Sequence, residues 1–144
     1  MSKKSRAVSA KGIEEFKLYV TRAIPVSAVV NCADNTGAKT LKIVQVTRYG
    51  GRLRRLPAAA VGDYVITVVK KGRPEMKKQT FGAVIVRQKY PIRRINGVRV
   101  MFEDNAAVIV TPDGELKGTD IKGPVAAEAA ERWPRLANLA SMII

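Results

Sequence analysis

The stretch AVIVRQKYPIRRINGVRVMFEDNAAVI, residues 83–109, decides the fold of this chain. It contains three apolar runs, with a basic segment and an Asn96-Gly97 turn between the first two. Asn-Gly between β-prone segments is the strongest short-range signal for a hairpin, because both residues of a two-residue loop take positive φ. The stretch therefore predicts a hairpin arm followed by a further strand.

The predicted register of the hairpin brings two arginines together. A two-residue loop would pair Ile95 with Val98 and place Arg94 opposite Arg99. Like charges on opposed residues are unfavourable, and a phosphate near them would remove that repulsion. The alternative is that both side chains extend into salty water. Pro91 cannot donate a ladder hydrogen bond, so its arm should be an edge strand or project beyond the sheet.

The rest of the chain from Pro25 also has β patterns. Runs rich in Val and Ile at 26–32 and 41–46 are separated by turn residues, and a third run covers 64–71. In the second run neither alternating face is cleanly polar. Five or six short strands without a long helix between them favour a mainly β fold, a small closed antiparallel barrel.

The last part of the chain changes to a helical pattern. Pro124 is expected to open a helix at its first position, where a missing N–H costs nothing. Glu128 and Arg132 have the i,i+4 spacing of an ion pair. Pro134 should end that helix or restart the next one, over 135–142. We therefore expect a short C-terminal helical part.

Apolar side chains in this helical part need a cover. Val125, Ala129 and Trp133 would share one helix face. We interpret Trp133 as a packing anchor against the barrel, with a contact to a partner protein as the alternative. Leu139 and the apolar residues at 142–144 should be covered by the barrel or by another protein.

The first 24 residues form a separate segment. Ile13, Phe16 and Val20 have the spacing of one helix face, which Lys17 interrupts, so we interpret the segment as an arm laid on a partner or on the barrel. We divide the chain into an N-terminal extension at 1–24, a β-barrel at 25–122 and a C-terminal helical segment of the same domain at 123–144.

Composition restricts the function. The 144 residues are 47% hydrophobic, which suits one domain. No apolar run approaches the roughly 20 residues of a membrane helix, and no signal core follows the N-terminal charges, so we expect a soluble, cytoplasmic protein. One cysteine, Cys32, forbids an internal disulfide, and the absence of histidine argues against zinc sites and against Ser–His or Cys–His catalysis. We expect no cofactor.

The charge is concentrated in the middle of the chain. The formal net charge is +14, and residues 48–99 hold 14 basic and 2 acidic residues, whereas residues 100–144 hold 4 basic and 7 acidic ones. A solvated face normally mixes both signs, so this segment predicts a nucleic-acid partner. We expect the basic loops to project from one region of the barrel. The candidate phosphate-binding residues are Arg52, Arg54, Arg55, Lys70, Lys71, Arg73, Lys77, Lys78, Arg87, Lys89, Arg93, Arg94 and Arg99.

Few aromatic residues accompany these cations, so structured RNA recognised by shape fits better than stacked single strands. Charge alone cannot separate RNA from DNA, and a DNA-compacting architectural protein is the first alternative. A nucleic-acid hydrolase using Asp63 or Asp104 is the second. Glu103 and Asp104 would point to opposite faces of a strand and cannot form a dyad, and no phosphate-binding glycine loop is present. We conclude that the chain is not an enzyme.

Several separated motifs resemble one family. NCADNTGAK at 31–39, LPAA at 56–59, the pattern within 83–109, GPVA at 123–126 and WPR at 133–135 are similar to the universal ribosomal large-subunit protein fourteen family, in its archaeal and eukaryotic branch. The resemblance covers about residues 25–144.

This resemblance implies a five-stranded barrel bound to large-subunit ribosomal RNA (rRNA) at the subunit interface, with bridges to small-subunit rRNA. It also implies neighbours: large-subunit protein three, a small archaeal zinc-binding ribosomal protein, and the anti-association initiation factor six near the C-terminal helices. The candidate protein contacts there are Trp133, Arg135 and Leu139.

Overall fold

The computed structural model describes residues 20–144. Ile13 and Phe16 of the predicted helical face lie outside these residues, as does Lys17, which interrupts that face. Val20 begins an irregular segment that leads into the first strand, β1 (Ile24–Pro25).

Five strands close into a barrel, and in order around it they are β2 (Val29–Cys32), β3 (Ala38–Val46), β5 (Tyr64–Gly72), β6 (Thr80–Arg87) and β9 (Ala106–Val110). The predicted closed five-stranded barrel is confirmed. It is mixed rather than purely antiparallel, because β2 and β9 pair in parallel while the other neighbouring pairs are antiparallel. Strands that alternate in direction around an odd-numbered ring must leave one parallel pair, and here it is the closing pair.

Two short sheets flank the barrel. β1 pairs with β4 (Ala58–Ala59), and β7 (Ile92–Arg93) pairs with β8 (Arg99–Val100) to form the arm. The strand predicted at 26–32 is shorter than expected, because the chain turns at Ser27, whose φ is 75°, before β2 begins. The strand predicted at 64–71 is confirmed as β5.

A bulge in β3 explains why neither face of its sequence is cleanly polar. Leu41 and Ile43 are buried, Gln45 is exposed, and Val46 is buried again. The pairing of β3 with β5 shifts between Ile43 and Gln45. An extra residue at a bulge reverses which side of the sheet the following residues face, so Val46 joins the core.

β6 and β9 are buried on both faces, unlike β5, whose burial alternates. Their inner faces fill the barrel, and the C-terminal segment covers β6 from outside, where Ala126 N–H donates to the Val86 carbonyl. A strand that is covered on both faces has a continuous apolar sequence rather than an alternating one. This is the physical reason for the runs at 83–86 and 106–110.

The C-terminal part contains two one-and-a-half-turn helices, α1 (Ala127–Arg132) and α2 (Pro134–Leu139). The predicted helix start at Pro124 is wrong, because Val125 is held in extended pairing with Ile143 and α1 begins only after it. The restart at Pro134 is confirmed, with proline at the first helical position. None of the helices in the described part of the chain is long and apolar enough to cross a membrane.

Trp133 joins these helices to the barrel. Its Nε1–H donates to the Gly62 carbonyl at 2.8 Å, and its ring lies 6.1 Å from that of Tyr64. Arg132 donates to the same carbonyl at 3.0 Å and to Asp63 Oδ1 at 2.8 Å. The interpretation of Trp133 as a packing anchor is confirmed. The Glu128–Arg132 pair does not form, because Arg132 pairs with Asp63 instead.

Candidate nucleic-acid interface

The arm has a three-residue loop, so its predicted register is wrong by one residue. Arg93 lies opposite Arg99, and the Arg94 N–H donates to the Val98 carbonyl at 3.0 Å. The last loop residue, Gly97, has a φ of 82°. Three-residue hairpin loops typically combine a turn with a residue in the left-handed region, which is the role of glycine here. The opposed pair of like charges is therefore Arg93 and Arg99, both exposed.

Buried residues fasten the root of the arm to the barrel. Gln88 is fully buried, donates to the Tyr90 carbonyl at 3.1 Å and accepts from the Val61 N–H at 3.3 Å. Ile92 and Phe102 are also buried on the barrel side. The base of the arm is therefore packed against the barrel and hydrogen-bonded to it. Sequence reasoning missed Gln88, since a lone glutamine carries no local signal.

Arg87, a predicted phosphate contact, is buried and paired inside the protein. It donates to Asp104 Oδ1 at 2.9 Å and to Oδ2 at 3.2 Å, and also to the carbonyls of Lys122 and Pro124. Burial alone would raise the pKa of Asp104, but hydrogen bonds from Arg87 and Asn31 outweigh it and keep the pKa below its ordinary value. Asp104 lies in the turn before β9, not on a strand as expected.

Arg94 is similarly engaged. Its Nε donates to Glu128 Oε1 at 3.0 Å, while a terminal nitrogen donates to Glu128 Oε2 at 3.3 Å and to the Ile144 carbonyl at 2.6 Å. These contacts clamp the arm to α1 and to the residues after α2. Within the described residues, Arg87 therefore joins the end of β6 to the turn before β9 and to the C-terminal segment, whereas Arg94 holds the arm against α1.

A second basic loop lies between β3 and β4. The Arg55 N–H donates to the Arg52 carbonyl at 3.0 Å, closing a turn with Leu53 and Arg54 at its tip. Arg54 has a φ of 63°, a region that costs a side-chain-bearing residue about 1 kcal/mol. All four side chains are exposed, and Leu53 is 87% exposed.

A third basic loop joins β5 to β6. The Lys77 N–H donates to the Arg73 carbonyl, and Lys78 has a φ of 67°. Arg73 crosses Gly37, where an added Cβ would lie 2.7 Å from the Arg73 Cδ, so this loop packs against the β2–β3 turn. The cations that extend from it and from the end of β5 are Lys70, Lys71, Arg73, Lys77 and Lys78, all exposed.

Topology separates these loops between the two ends of the barrel. β3 and β6 run in the same direction, so the loop after β3 and the arm after β6 leave the same end. β5 runs the opposite way, and its loop leaves the other end. Nine residues at about 3.3 Å each make β5 about 30 Å long. We expected all three basic loops to leave one region of the barrel. Only the 52–55 turn and the arm do so, because successive hairpin turns alternate between the two ends of the barrel.

Most of the predicted cations are exposed and have no acidic partner among residues 20–144. Within residues 20–144, the only ion pairs of the thirteen candidates are those of Arg87 and Arg94. The remaining eleven are exposed and form none with another residue of this range. Such a surface repels itself in the absence of an anion.

The predicted protein contacts lie on the helical side. Arg135 is exposed and pairs with Glu115, and Leu139 is also exposed. Met142, Ile143 and Ile144 are between 42% and 55% exposed, although the backbone of residues 142–144 pairs with Val125. Trp133, by contrast, is committed to its contact with the barrel at Gly62 and Tyr64.

No catalytic arrangement accompanies the basic loops in the range 20–144. That range has no group of three or more metal-binding side chains. Asp63 and Asp104 each face an arginine, and Asp34 Oδ1 accepts from the Thr36 N–H in its own turn. The Cys32 thiol donates to Asp34 Oδ1 at 2.9 Å, and burial, together with the nearby Asp34 charge, raises its pKa to about 12. The thiol is therefore neutral and unreactive at physiological pH.

Known proteins resemble this chain over most of its length. Residues 23–144 match the family model described as Ribosomal protein L14p/L23e. The large ribosomal subunit protein uL14 of Cenarchaeum symbiosum is 71% identical over 135 residues, with 94% of each chain covered. Its counterpart in Nitrosopumilus maritimus is 65% identical, covering 94% of this chain and 97% of that protein. The chain therefore belongs to the L14p/L23e family of ribosomal proteins, in its archaeal branch.

Proposed function

We propose that the chain is a structural, non-enzymatic constituent of the cytoplasmic large ribosomal subunit, where it acts in translation. It binds large-subunit rRNA through its exposed basic loops and contributes to bridges with small-subunit rRNA. Relatives that are named large ribosomal subunit proteins support the first statement. The second rests on the loops themselves.

The observation that carries the proposal is the set of eleven exposed cations without an acidic partner in residues 20–144. Arg93 and Arg99 are held opposite each other by the register of the arm, an arrangement that a bridging phosphate would stabilise. Arginine can fork two phosphate oxygens, whereas lysine acts as a point charge. Such contacts fix position on a folded RNA without reading its sequence.

The separation of the basic loops supports binding to more than one RNA segment. The arm and the 52–55 turn leave one end of the barrel, and the 73–78 loop leaves the other end, about 30 Å away along β5. A rigid barrel of this length can hold two segments apart. This geometry is compatible with a protein that touches the RNA of both subunits.

Protein neighbours would occupy the helical side. Arg135 and Leu139 are exposed beside the apolar residues 142–144, and residues 100–144 carry a net negative charge. We assign this surface to the neighbours that the family resemblance implies. These are large-subunit protein three, the small archaeal zinc-binding ribosomal protein and the anti-association initiation factor six.

Rebinding to salt-stripped large subunits tests the RNA contacts. Arg93→Gln with Arg99→Gln should weaken cosedimentation with the subunits, increasingly as salt is raised. The matched control, Lys117→Gln with Lys122→Gln, removes the same charge from exposed positions outside the basic loops and should change little. Equal cosedimentation of both double variants at every salt concentration would contradict the proposal. Preferential recovery of the chain with chromosomal DNA would favour an architectural DNA-binding protein instead.

A further inference from the structure

Two loops at the same end of the barrel each present an uncovered aliphatic side chain beside arginines. Leu53, between Arg52 and Arg54, is 87% exposed, and Ile95, directly after Arg94 at the tip of the arm, is 103% exposed. Scattered exposed apolar residues are ordinary on protein surfaces. Here, however, both loops at one end of the barrel place an exposed aliphatic residue at the tip, next to arginines. Local folding does not account for this repeated arrangement.

Neither side chain is needed for its turn. The turn at 52–55 is closed by a backbone hydrogen bond, and the loop of the arm depends on Gly97 and on the Asn96 side chain, which accepts from the Val98 N–H at 3.1 Å. A polar residue would suit both tips at least as well. The apolar character therefore points to a contact outside the described residues.

The charge around the two tips selects the kind of partner. Residues 49–57 contain three basic residues and residues 89–101 contain four, of which Arg94 is already paired with Glu128, and neither stretch contains an acidic residue. A protein surface that covered the aliphatic tips would also have to neutralise this single-sign field. RNA meets both requirements, because its phosphates accept from guanidinium groups while its bases and ribose edges offer apolar faces. In proteins that bind the DNA minor groove, apolar side chains insert between base steps, which shows that nucleic-acid bases accept such contacts.

We infer that Leu53 and Ile95 are non-ionic RNA contacts, which pack against base or ribose surfaces while the exposed arginines of the same two loops hold the phosphates. These arginines are Arg52, Arg54, Arg93 and Arg99. The inference rests on the proposed rRNA binding and adds to it two residues that carry no charge. It also divides the interface into a salt-dependent and a salt-independent part.

Salt titration separates these two parts. Equilibrium binding of the full chain to protein-free large-subunit rRNA from Nitrosopumilus maritimus is measured at several salt concentrations. Ile95→Ala should weaken binding about tenfold at every concentration without changing the slope of log affinity against log salt, because no ion is released by an apolar contact. Arg99→Gln should instead make that slope shallower by about 1 for each phosphate that the variant no longer neutralises.

Matched variants guard against indirect effects. Ile95→Val keeps most of the apolar side chain and should retain most of the affinity. Val44→Ala truncates a 50% exposed residue on the barrel wall and should leave binding unchanged. Leu53→Ala should behave like Ile95→Ala. Since all these side chains are exposed, thermal melting should be nearly the same for every variant.

The outcomes are distinguishable. If Ile95→Ala and Leu53→Ala bind protein-free rRNA normally while Arg99→Gln changes the slope, the inference is wrong and the proposed function stands. If the two apolar variants lose affinity only for particles that contain ribosomal proteins, the tips contact protein, which also overturns the inference. Failure of the unsubstituted chain to bind rRNA would contradict the proposed function itself.

Discussion

Arg87 joins three parts of the protein, so its removal should destabilise the fold strongly. The end of β6 carries Arg87, the turn before β9 carries Asp104, and the C-terminal segment contributes the carbonyls of Lys122 and Pro124. Arg87→Met fills similar space but donates no hydrogen bond. The substitution would leave the carbonyl oxygens of Lys122 and Pro124 without the hydrogen bonds that Arg87 donates. Asp104 would keep its side-chain hydrogen bond from Asn31.

The expected loss can be worked out from these contacts. Removing one partner of a buried ion pair costs about 3–5 kcal/mol. The Asp104 side chain is 31% exposed, so water partly rehydrates it, and we expect a loss of about 3 kcal/mol in the free energy of unfolding. For a chain of this size that corresponds to a fall of about 6–12 °C in melting temperature. Urea unfolding at pH 7 measures it.

The same ion pair makes a pH prediction. Because the pKa of Asp104 is lower in the folded than in the unfolded chain, its stabilisation is present above the unfolded pKa, about 3.9. It is lost as the pH falls through the folded pKa. Asp104→Asn should therefore lower stability at pH 7 and flatten the fall of stability as the pH drops below about 4.

Arg93→Met is the control for Arg87→Met, since Arg93 is exposed and should tolerate the change within about 0.5 kcal/mol. An equally small effect of Arg87→Met would refute the assignment of Arg87 as a structural residue. If the stability of Asp104→Asn depended on pH in the same way as that of the unsubstituted chain, the lowered pKa of Asp104 would not be coupled to folding.

Three further substitutions or reactions test other parts of the structure. Trp133→Phe removes the donor to the Gly62 carbonyl and should lower the free energy of unfolding by about 1–2 kcal/mol in urea titration; no change would mean that the contact is dispensable. Arg54→Gly relieves the strain of a left-handed backbone conformation, so the free energy of unfolding should stay level or rise by up to about 1 kcal/mol. The affinity for rRNA should fall. A parallel loss of stability and of rRNA affinity would argue against a role of Arg54 in binding. The pKa of the Cys32 thiol is raised from 9.0 to about 12, so the thiolate fraction at pH 7 should be roughly a thousandfold smaller than that of an ordinary cysteine. Its reaction with iodoacetamide should be slower by the same factor. A reaction rate like that of glutathione would contradict the buried hydrogen bond to Asp34.

Local pattern was sufficient for the arm but not for its register. Asn96-Gly97 predicted a hairpin, and the two-residue loop used for its register placed Arg94 opposite Arg99, whereas the three-residue loop of the structure places Arg93 there. A shift of one residue exchanges the two faces of the arm. Consequently Arg94, expected at the phosphates, lies on the side of Glu128.

The amino-acid sequence by itself was sufficient to predict the class of fold and the family. Strand-length apolar runs divided by turn residues predicted the β-barrel, and the separated motifs identified the family. The basic excess at 48–99 predicts a polyanionic partner. These properties depend on composition and on spacings of a few residues, which the chain carries before it folds.

Only the tertiary structure decided which cations remain available to a partner. Arg87 meets Asp104 across 17 residues, and Arg94 meets Glu128 across 34. No helical or strand periodicity extends over such distances, and the pairs exist because barrel closure brings distant segments together. The same closure placed the 73–78 loop at the end opposite the arm, since strands that alternate in direction send successive turns to opposite ends.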